Sequence, residues 1–338
     1  MRMTAAKRIF IFACLVILLA VGASLWLRAQ YFQFLENPLD LPAEGYVLQV
    51  QPGTSGRALI EELEQEGITR AGWEWKLLMK LEPMLIRAGE FALEHGTRPR
   101  DLLQIVSSGM VIQYRLTLVE GWTFRQLLEA LGKEKILEHT LADEDPQSLQ
   151  QFLHRLEIEN PEGWFLPETY QFSRGDSDVD ILERSHEAMK TTLQEAWNAR
   201  SDDLPLTSPY ELLILASIIE KETSLDSERA QIAGVFIRRL NKGMRLQTDP
   251  TVIYGMGESY DGNIRRKDLQ ADTPYNTYTR SGLPPTPIAM PGRASLIAAG
   301  NPLEGDSLYF VADGKGGHTF SATLKEHQAA VRKMIGKG

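Results

Sequence analysis

The sequence predicts an α+β protein with a single N-terminal membrane helix, a small α+β region and a larger, mainly helical domain that has long loops and a few strands. The first observation behind this prediction is an uncharged apolar run at residues 9–27. The second is a strand–turn–helix pattern used three times within residues 46–133. The third is helical spacing of apolar residues after about residue 150, which one long loop interrupts.

Composition limits the classes of protein to consider. The chain has 338 residues, 43% of them hydrophobic, which is enough for two domains with real cores. Its net charge is -9 and no basic block stands out, so nucleic acid is not expected as a partner. The six histidines form no short-spaced pair and Cys14 is the only cysteine, so neither a metal site nor a disulfide is expected.

The run from Ile9 to Leu27 has about the length that a helix needs to cross the hydrocarbon core of a membrane. Arg2, Lys7 and Arg8 precede it, whereas Arg28 is the only cation directly after it. This asymmetry predicts a cytoplasmic N-terminus and places everything from residue 30 on the other side of the membrane. Residues 1–29 are therefore interpreted as a cytoplasmic tip and a membrane span, and residues 30–45 as a linker.

A cleaved signal peptide is the competing interpretation of the same run, with the small residues "VGA" as its cleavage site. The apolar run is longer than the core of a typical signal peptide and continues through Leu25, Trp26 and Leu27. An uncleaved membrane anchor is therefore the prediction. No cysteine follows the run, so the exported part is expected to be stabilised by its hydrophobic cores alone.

Three segments within residues 46–150 share the pattern GxxxRxL. They are "GTSGRALIEEL" (53–63), "GTRPRDLLQIV" (96–106) and "GWTFRQLLEAL" (121–131), and each follows a short strand-like run. In each segment Gly ends the strand and the apolar spacing predicts an amphipathic helix. A further amphipathic helix is predicted at 71–85. The region 46–150 is thus expected to be a small α+β unit without a catalytic constellation.

The acidic stretch "LADEDPQSLQ" (141–150) is the predicted boundary, and residues 156–338 are the predicted catalytic domain. Helical spacing continues through residues 179–200 and 227–243. The next stretch, 244–292, is rich in Gly, Pro and Tyr and is too long for a simple connector. It is predicted to be a long functional loop. A short helix, a strand, the turn "GKGGHTF" and a closing helix complete the chain.

The helix "ELLILASIIEKETS" (211–224) is apolar on almost every side and yet ends on acids. One interpretation is that Glu220 lies where the helix reaches solvent, since glutamate is rarely buried without a partner. The other is that the helix delivers the carboxyl group of Glu220 to the floor of a cleft. A desolvated carboxyl group keeps its proton more readily, and a groove lined by tyrosines and amides suits a polysaccharide.

A glycoside hydrolase would need a second carboxyl group at about 5 to 9.5 Å from the first. Glu222 is disfavoured, because residues two apart on a helix point to different sides. Asp249 is the alternative, although "TDPT" also reads as an ordinary Asp-Pro turn, and both interpretations remain open. The segment "DGKGG" lacks the ending of a phosphate-binding loop, so no cofactor is expected and the segment is interpreted as a turn that positions His318 and Phe320.

Six segments together resemble the endolytic murein transglycosylase family, also called MltG or YceG-like. They are "EGWFLPETY", "LASIIEKETS", "RLQTDPTVIYG", "YNTYTRSGLPPTPI", "LYFVADGKGGHTF" and the N-terminal span. The resemblance implies a single-pass inner-membrane protein with a LysM-like region, here the repeated segments, and a periplasmic catalytic domain. That domain would cut nascent peptidoglycan glycan strands as a lyase, with peptidoglycan synthases (penicillin-binding proteins) as expected neighbours.

The resemblance also implies roles for single residues. The family's catalytic glutamate is the first acid of EKET, which falls on Glu220, and it protonates the glycosidic oxygen and then deprotonates the muramyl C6 hydroxyl. The expected products are 1,6-anhydro-muramyl ends. The predicted glycan-binding residues are Gln247, Thr248, Asp249, Tyr254, Asn276, Tyr278, His318 and Phe320. A hydrolytic muramidase using Glu220 and Asp249, and a non-catalytic peptidoglycan-binding scaffold, remain the alternatives.

Overall fold

The computed structural model describes residues 5–141 and 146–335, which form two compact units. The first unit contains the described residues up to Tyr114 together with Ser173–Gly175, and the second contains the other described residues. The division therefore falls earlier than the predicted boundary at 141–150, of which residues 142–145 lie outside the described residues. The third repeated segment belongs to the second unit because its Phe124 stacks on the fully buried Phe165, with ring centroids 5.1 Å apart.

The described part of the first unit has two strands and four helices, and the apolar N-terminal segment is the first of these helices. In chain order they are α1 (Ala5–Glu36), β1 (Tyr46–Val50), α2 (Gly56–Gln65), α3 (Trp73–Leu81), β2 (Gly89–Leu93) and α4 (Pro99–Ser108). β1 and β2 pair antiparallel, with Tyr46 opposite Leu93. The predicted helical spacing is confirmed in α2, where Leu59, Ile60 and Leu63 are buried.

Helix α1 is 32 residues long and is apolar and long enough to cross a membrane. Its C-terminal end packs on the core of the first unit, where Leu35 is buried and the Phe34 ring contacts Trp75 edge-on at 5.1 Å. Of the cations used to predict orientation, Arg2 lies outside the described residues. The helix is therefore suited to be a single-pass anchor that continues into the folded unit.

The second unit is mainly helical. Its elements are β3 (Tyr114–Thr117), α5 (Phe124–Lys133), α6 (Pro146–Arg155), β4 (Thr169–Phe172), α7 (Asp178–Asn198), α8 (Pro209–Glu222), α9 (Asp226–Asn241), α10 (Asp249–Met256), α11 (Arg266–Gln270), α12 (Arg293–Gly300), β5 (Tyr309–Ala312), β6 (His318–Ser321) and α13 (Leu324–Ile335). β3 pairs with β4, and β5 forms an antiparallel hairpin with β6.

Helix α8 is the centre of this unit, as its apolar sequence predicts. All its residues from Leu212 to Ile219 are buried, and α7, α9 and α12 pack around it. The side chain of Ser208 caps its first turn and Pro209 occupies the first helical position, where the missing N–H has no helical partner to lose. Helix α8 thus holds its acidic C-terminal end rigidly.

The predicted long loop at 244–292 contains two short α-helices and a 3₁₀ turn at Gly257–Ser259. Helix α10 begins at Asp249 and Pro250 because proline suits the first turn, and the hydroxyl of Thr251 donates to the carbonyl of Thr248 at 2.8 Å. The Asp-Pro segment is therefore the start of a helix rather than an isolated turn. The glycine-rich turn before His318 joins β5 to β6, a strand that the sequence did not predict.

Candidate active site

The two acids at the end of α8 project to different sides of the helix, because each residue advances the helix by about 100°. Glu220 faces the start of α12 and Arg229 of α9. Glu222 faces a separate polar cavity. The two carboxyl groups therefore have different surroundings, and each is described in turn.

Glu220 is held in a nearly closed network, and its side chain is only 6% exposed. Its Oε2 accepts hydrogen bonds from the backbone N–H of Gly292 at 3.0 Å and from the hydroxyl of Ser295 at 2.7 Å. Its Oε1 lies 3.6 Å from Nη2 of Arg229, whose side chain is 6% exposed. Two donors and a buried cation thus surround the carboxyl group of Glu220 and fix its position.

Ser295 connects the two charged groups of this network. Nε of Arg229 donates to the Ser295 hydroxyl oxygen at 3.1 Å, so the hydroxyl proton is left to point at Glu220. Arg229 also pairs with the exposed Asp226. Ser295 and Arg229 were not found from the sequence, because Ser295 lies 75 residues after Glu220 and Arg229 belongs to the next helix, α9.

A third carboxyl group, that of Glu120, adjoins the network. Its Oε2 is 3.7 Å from Nη2 of Arg229, and a Cβ atom on Gly292 would overlap it. Partial burial and the negative charge of Glu220 raise the pKa of Glu120, while Arg229 opposes the rise. Gly121 follows Glu120 in the chain, and its carbonyl accepts a hydrogen bond from Nζ of Lys221 at 3.0 Å. This bond links residues 120–121 to the end of α8.

Glu222 lines a cavity of about 460 Å³ and accepts a hydrogen bond from the hydroxyl of Thr248. Burial raises the pKa of Glu222 to about 7, and the nearby carboxylate of Asp249 adds to the rise. The Thr248 hydrogen bond, His318 and Arg239 oppose it. A carboxyl group with a pKa near 7 is suited to give and to recover a proton near neutral pH.

Five of the eight predicted glycan-binding residues line this cavity: Gln247, Thr248, Asp249, Tyr278 and His318. The hydroxyl of Tyr278 donates to Oδ1 of Asp249 at 2.6 Å, and Nδ1 of His318 lies 2.7 Å from Oε2 of Glu228. Gln247 has a φ of +51°, which is rare for a residue other than glycine and costs backbone energy. The long loop and the β5–β6 hairpin thus meet at Glu222.

The other three predicted residues lie outside the cavity. The hydroxyl of Tyr254 donates to Oε2 of Glu162 at 3.0 Å. Asn276 is 1% exposed, and its amide donates to three carbonyls of the residues 268–271. Phe320 packs against Phe310, with ring centroids 6.0 Å apart. Of these three, Phe320 packs against a residue that lines the cavity, whereas Tyr254 and Asn276 bond to residues that do not line it.

The cavity also contains side chains that the sequence did not single out, namely Arg239, Tyr309, Phe310 and His327. The guanidinium of Arg239 lies 5.1 Å from the centroid of the Tyr309 ring and donates to backbone carbonyls, including that of Leu246 at 2.7 Å. One signal was present in the sequence, since Arg239 stands in the last turn of α9, three residues after the apolar Phe236, and a buried arginine needs partners.

Among residues 5–141 and 146–335, no group of three or more His, Cys, Asp or Glu side chains is placed to hold a metal ion. The side chains that line this site offer proton transfer by carboxyl groups, together with hydrogen bonding by Thr248, Asp249 and Tyr278. These are the groups that cleavage of a glycosidic bond uses.

Glu162, another buried acid, makes the stability of the folded chain depend on pH. Burial raises the pKa of Glu162 to about 7, against hydrogen bonds from the Phe124 N–H and the Tyr254 hydroxyl, whereas its ordinary value is 4.5. Between these values the folded chain binds a proton that the unfolded chain has lost, so stability falls as pH rises through this window. We expect Glu162→Gln to lose less melting temperature than the wild type between about pH 5 and about pH 8. If calorimetry shows the same loss of melting temperature for Glu162→Gln and the wild type over this pH range, the raised pKa of Glu162 is contradicted.

Comparison with known proteins gives consistent matches over nearly the whole chain. Residues 48–333 match the YceG-like family. The endolytic murein transglycosylase of Bacillus subtilis strain 168 is 31% identical over 323 residues, which cover 90% of this chain and 89% of that protein. The endolytic murein transglycosylase of Streptococcus pneumoniae serotype 2 is 26% identical over 351 residues, which cover 94% of this chain and 63% of that longer protein.

A solved structure is similar as well. The crystal structure of a YceG-like protein from Listeria monocytogenes is 29% identical in sequence and superimposes with a TM-score of 0.53. The match covers 85% of this chain and 99% of that chain.

Proposed function

We propose, from the premise that this chain belongs to the YceG-like family, that it is an endolytic lytic transglycosylase of peptidoglycan glycan strands. The names of its relatives from Bacillus subtilis and Streptococcus pneumoniae support a role in cleaving murein. One structural observation carries the proposal furthest: Glu222 lies in a polar cavity with five of the predicted glycan-binding residues.

The proposed reaction uses one carboxyl group twice. Protonated Glu222 gives its proton to the glycosidic oxygen between N-acetylmuramic acid and N-acetylglucosamine, and the bond from that oxygen to the muramyl C1 breaks. Glu222, now a carboxylate, takes the proton of the muramyl C6 hydroxyl, whose oxygen bonds to C1. The products are an N-acetylglucosamine end and a 1,6-anhydro-muramyl end, and no water is consumed. The raised pKa of Glu222 suits both steps.

The geometry favours Glu222 over Glu220 as this acid and base. Both oxygens of Glu220 already face donors or a cation, and Glu220 is not among the residues that line the cavity. Glu222 is buried beside the carboxylate of Asp249, which favours the protonated form. The assignment of Glu220 from the family resemblance stays a prediction, and substitution of each acid distinguishes the two.

The proposed setting is the inner membrane, with α1 as a single-pass anchor, the N-terminus in the cytoplasm and both units in the periplasm. Lys7 and Arg8 before the span support this orientation. The LysM-like region would hold the glycan strand, and cleavage near peptidoglycan synthases would end strand elongation.

A reporter that is active only after export is expected to be active when fused after Gly338. Activity of a cytoplasm-only reporter at the same position would contradict the orientation.

A hydrolytic muramidase is the second candidate, because Asp249 lines the same cavity as Glu222 and could activate a water molecule. Digestion of purified glycan strands in ¹⁸O-labelled water separates the two reactions. We expect anhydro-muramyl ends without label, detected by mass spectrometry. Labelled reducing ends would identify a hydrolase, and intact strands with a folded protein would favour the binding scaffold.

A further inference from the structure

A second cavity, of about 710 Å³, lies beside α7 and shares no lining residue with the Glu222 cavity. Its volume falls within the range of about 300 to 1,000 Å³ that is typical of ligand sites. We propose that this cavity binds a neutral sugar unit of the glycan strand, N-acetylglucosamine being the sugar that fits its chemistry. The choice of a sugar rests on the proposed function, whereas the existence of a binding site rests on the observations that follow.

Trp164 forms an aromatic wall of this cavity and is held in place from several sides. Its ring lies nearly parallel to that of Tyr210, at 13° and 5.8 Å, and the His186 ring meets it at 63° and 5.8 Å. Nδ1 of His186 also lies 3.1 Å from the Trp164 carbonyl oxygen. A ring that is already fixed loses little conformational freedom on binding, and sugars stack their apolar faces on such rings.

Helix α7 places a pair of amides on the same cavity. Nε2 of Gln194 donates to Oδ1 of Asn198 at 2.8 Å, one helical turn away. This bond leaves the carbonyl oxygen of Gln194 as an acceptor and the amino group of Asn198 as a donor. An acetamido group presents the complementary donor and acceptor, so N-acetylglucosamine matches the pair.

The charges of the lining favour a neutral ligand. The cavity's one lysine, Lys190, pairs with Glu187 at 3.2 Å, and Glu195 pairs with Arg293 at 3.1 Å. Glu157 adds a further carboxylate to the lining. An anionic ligand, such as a stem peptide rich in carboxylates, would therefore meet an excess of negative charge, whereas a neutral sugar would not.

The backbone at Glu157 is an independent sign of a functional cavity. Glu157 follows α6 and has a φ of +59°. The N–H of the next residue, Ile158, donates to the carbonyl of Leu153. Glycine is the usual residue at such a helix end. Within residues 5–141 and 146–335, Glu157 and Gln247 are the two residues other than glycine with positive φ, and each lines one of the two cavities. Strain of this kind is typically kept where a side chain has a function.

The test is a titration of the full chain in detergent, labelled with 5-fluorotryptophan and carrying Glu222→Gln so that no substrate is cleaved. The probe is the β-1,4-linked tetramer of N-acetylglucosamine, and Trp164→Phe assigns the ¹⁹F resonance of Trp164. We expect the tetramer to shift this resonance, and we expect Gln194→Ala to weaken the binding by about tenfold. Gln328→Ala, which changes an exposed glutamine of α13, serves as the matched control and should leave the affinity unchanged.

Each other result overturns the inference. The inference fails if the Trp164 resonance does not shift at millimolar tetramer. It also fails if Gln194→Ala and Gln328→Ala weaken binding of the tetramer equally. A shift produced by a free stem peptide but not by the tetramer would show that the ligand is a peptide. The titration needs no turnover, so a chain that forms anhydro ends but does not bind the tetramer at Trp164 keeps its proposed function and loses this site.

Discussion

Glu222→Gln is expected to reduce turnover of glycan strands by more than about 10⁴-fold, whereas Glu220→Gln should lose no more than about 10²-fold. Glutamine keeps the shape of Glu222 but neither gives nor recovers a proton, and both steps of the proposed reaction depend on that exchange. The smaller loss at Glu220 would arise because its network holds the end of α8, so a change there shifts Glu222 slightly.

The measurement is the rate of formation of anhydro-muramyl ends, with circular dichroism to show that both variants fold. The pH profile of the wild type provides a second readout, since the pKa of Glu222 near 7 places the change between its acidic and basic forms in the neutral range. The opposite order of effects, with Glu220→Gln inactive and Glu222→Gln active, would return the catalytic role to Glu220 and remove the role proposed for the Glu222 cavity.

Much of the fold could be predicted because its signals are local. The apolar run of α1, the spacing of α2, α4 and α5, and the buried α8 all follow from residues close together in the sequence. The mixed helix and strand composition is confirmed, while the LysM-like character of the first unit stays a prediction. Strand β6 was missed because its four residues follow a glycine-rich turn and carry too short a pattern.

The orientation of the two acids could not be predicted, and the reason is physical. Helix α8 is apolar on every side, so no hydrophobic stripe shows which of its faces meets which neighbour. Whether Glu220 or Glu222 reaches a cavity therefore depends on packing against α9, α10 and α12. The partners of Glu220 come from residues 229, 292 and 295, which only the folded chain brings together.

Arg229→Met is expected to destabilise the second unit by about 3 kcal/mol, because it leaves the buried carboxylate of Glu220 without its cation. The methionine keeps much of the apolar volume, so the loss reports the charge rather than a cavity. For a domain of this size the melting temperature should fall by about 6 to 12 °C. Arg332→Met, at an exposed position of α13, should change stability by less than about 0.5 kcal/mol.

The double variant Arg229→Met/Glu220→Gln tests the cause of this loss. If the cost comes from an unpaired charge, neutralising Glu220 removes it, and the double variant should be more stable than Arg229→Met alone, with a coupling of about 2 kcal/mol. Hydrogen exchange of the α8 amides, read by mass spectrometry, should show the same order, because Glu220 holds the end of that helix to Ser295 and Gly292. Effects that add to within about 0.5 kcal/mol would mean that Arg229 stabilises the unit through Glu120 and Asp226 instead, and that Glu220 does not depend on it.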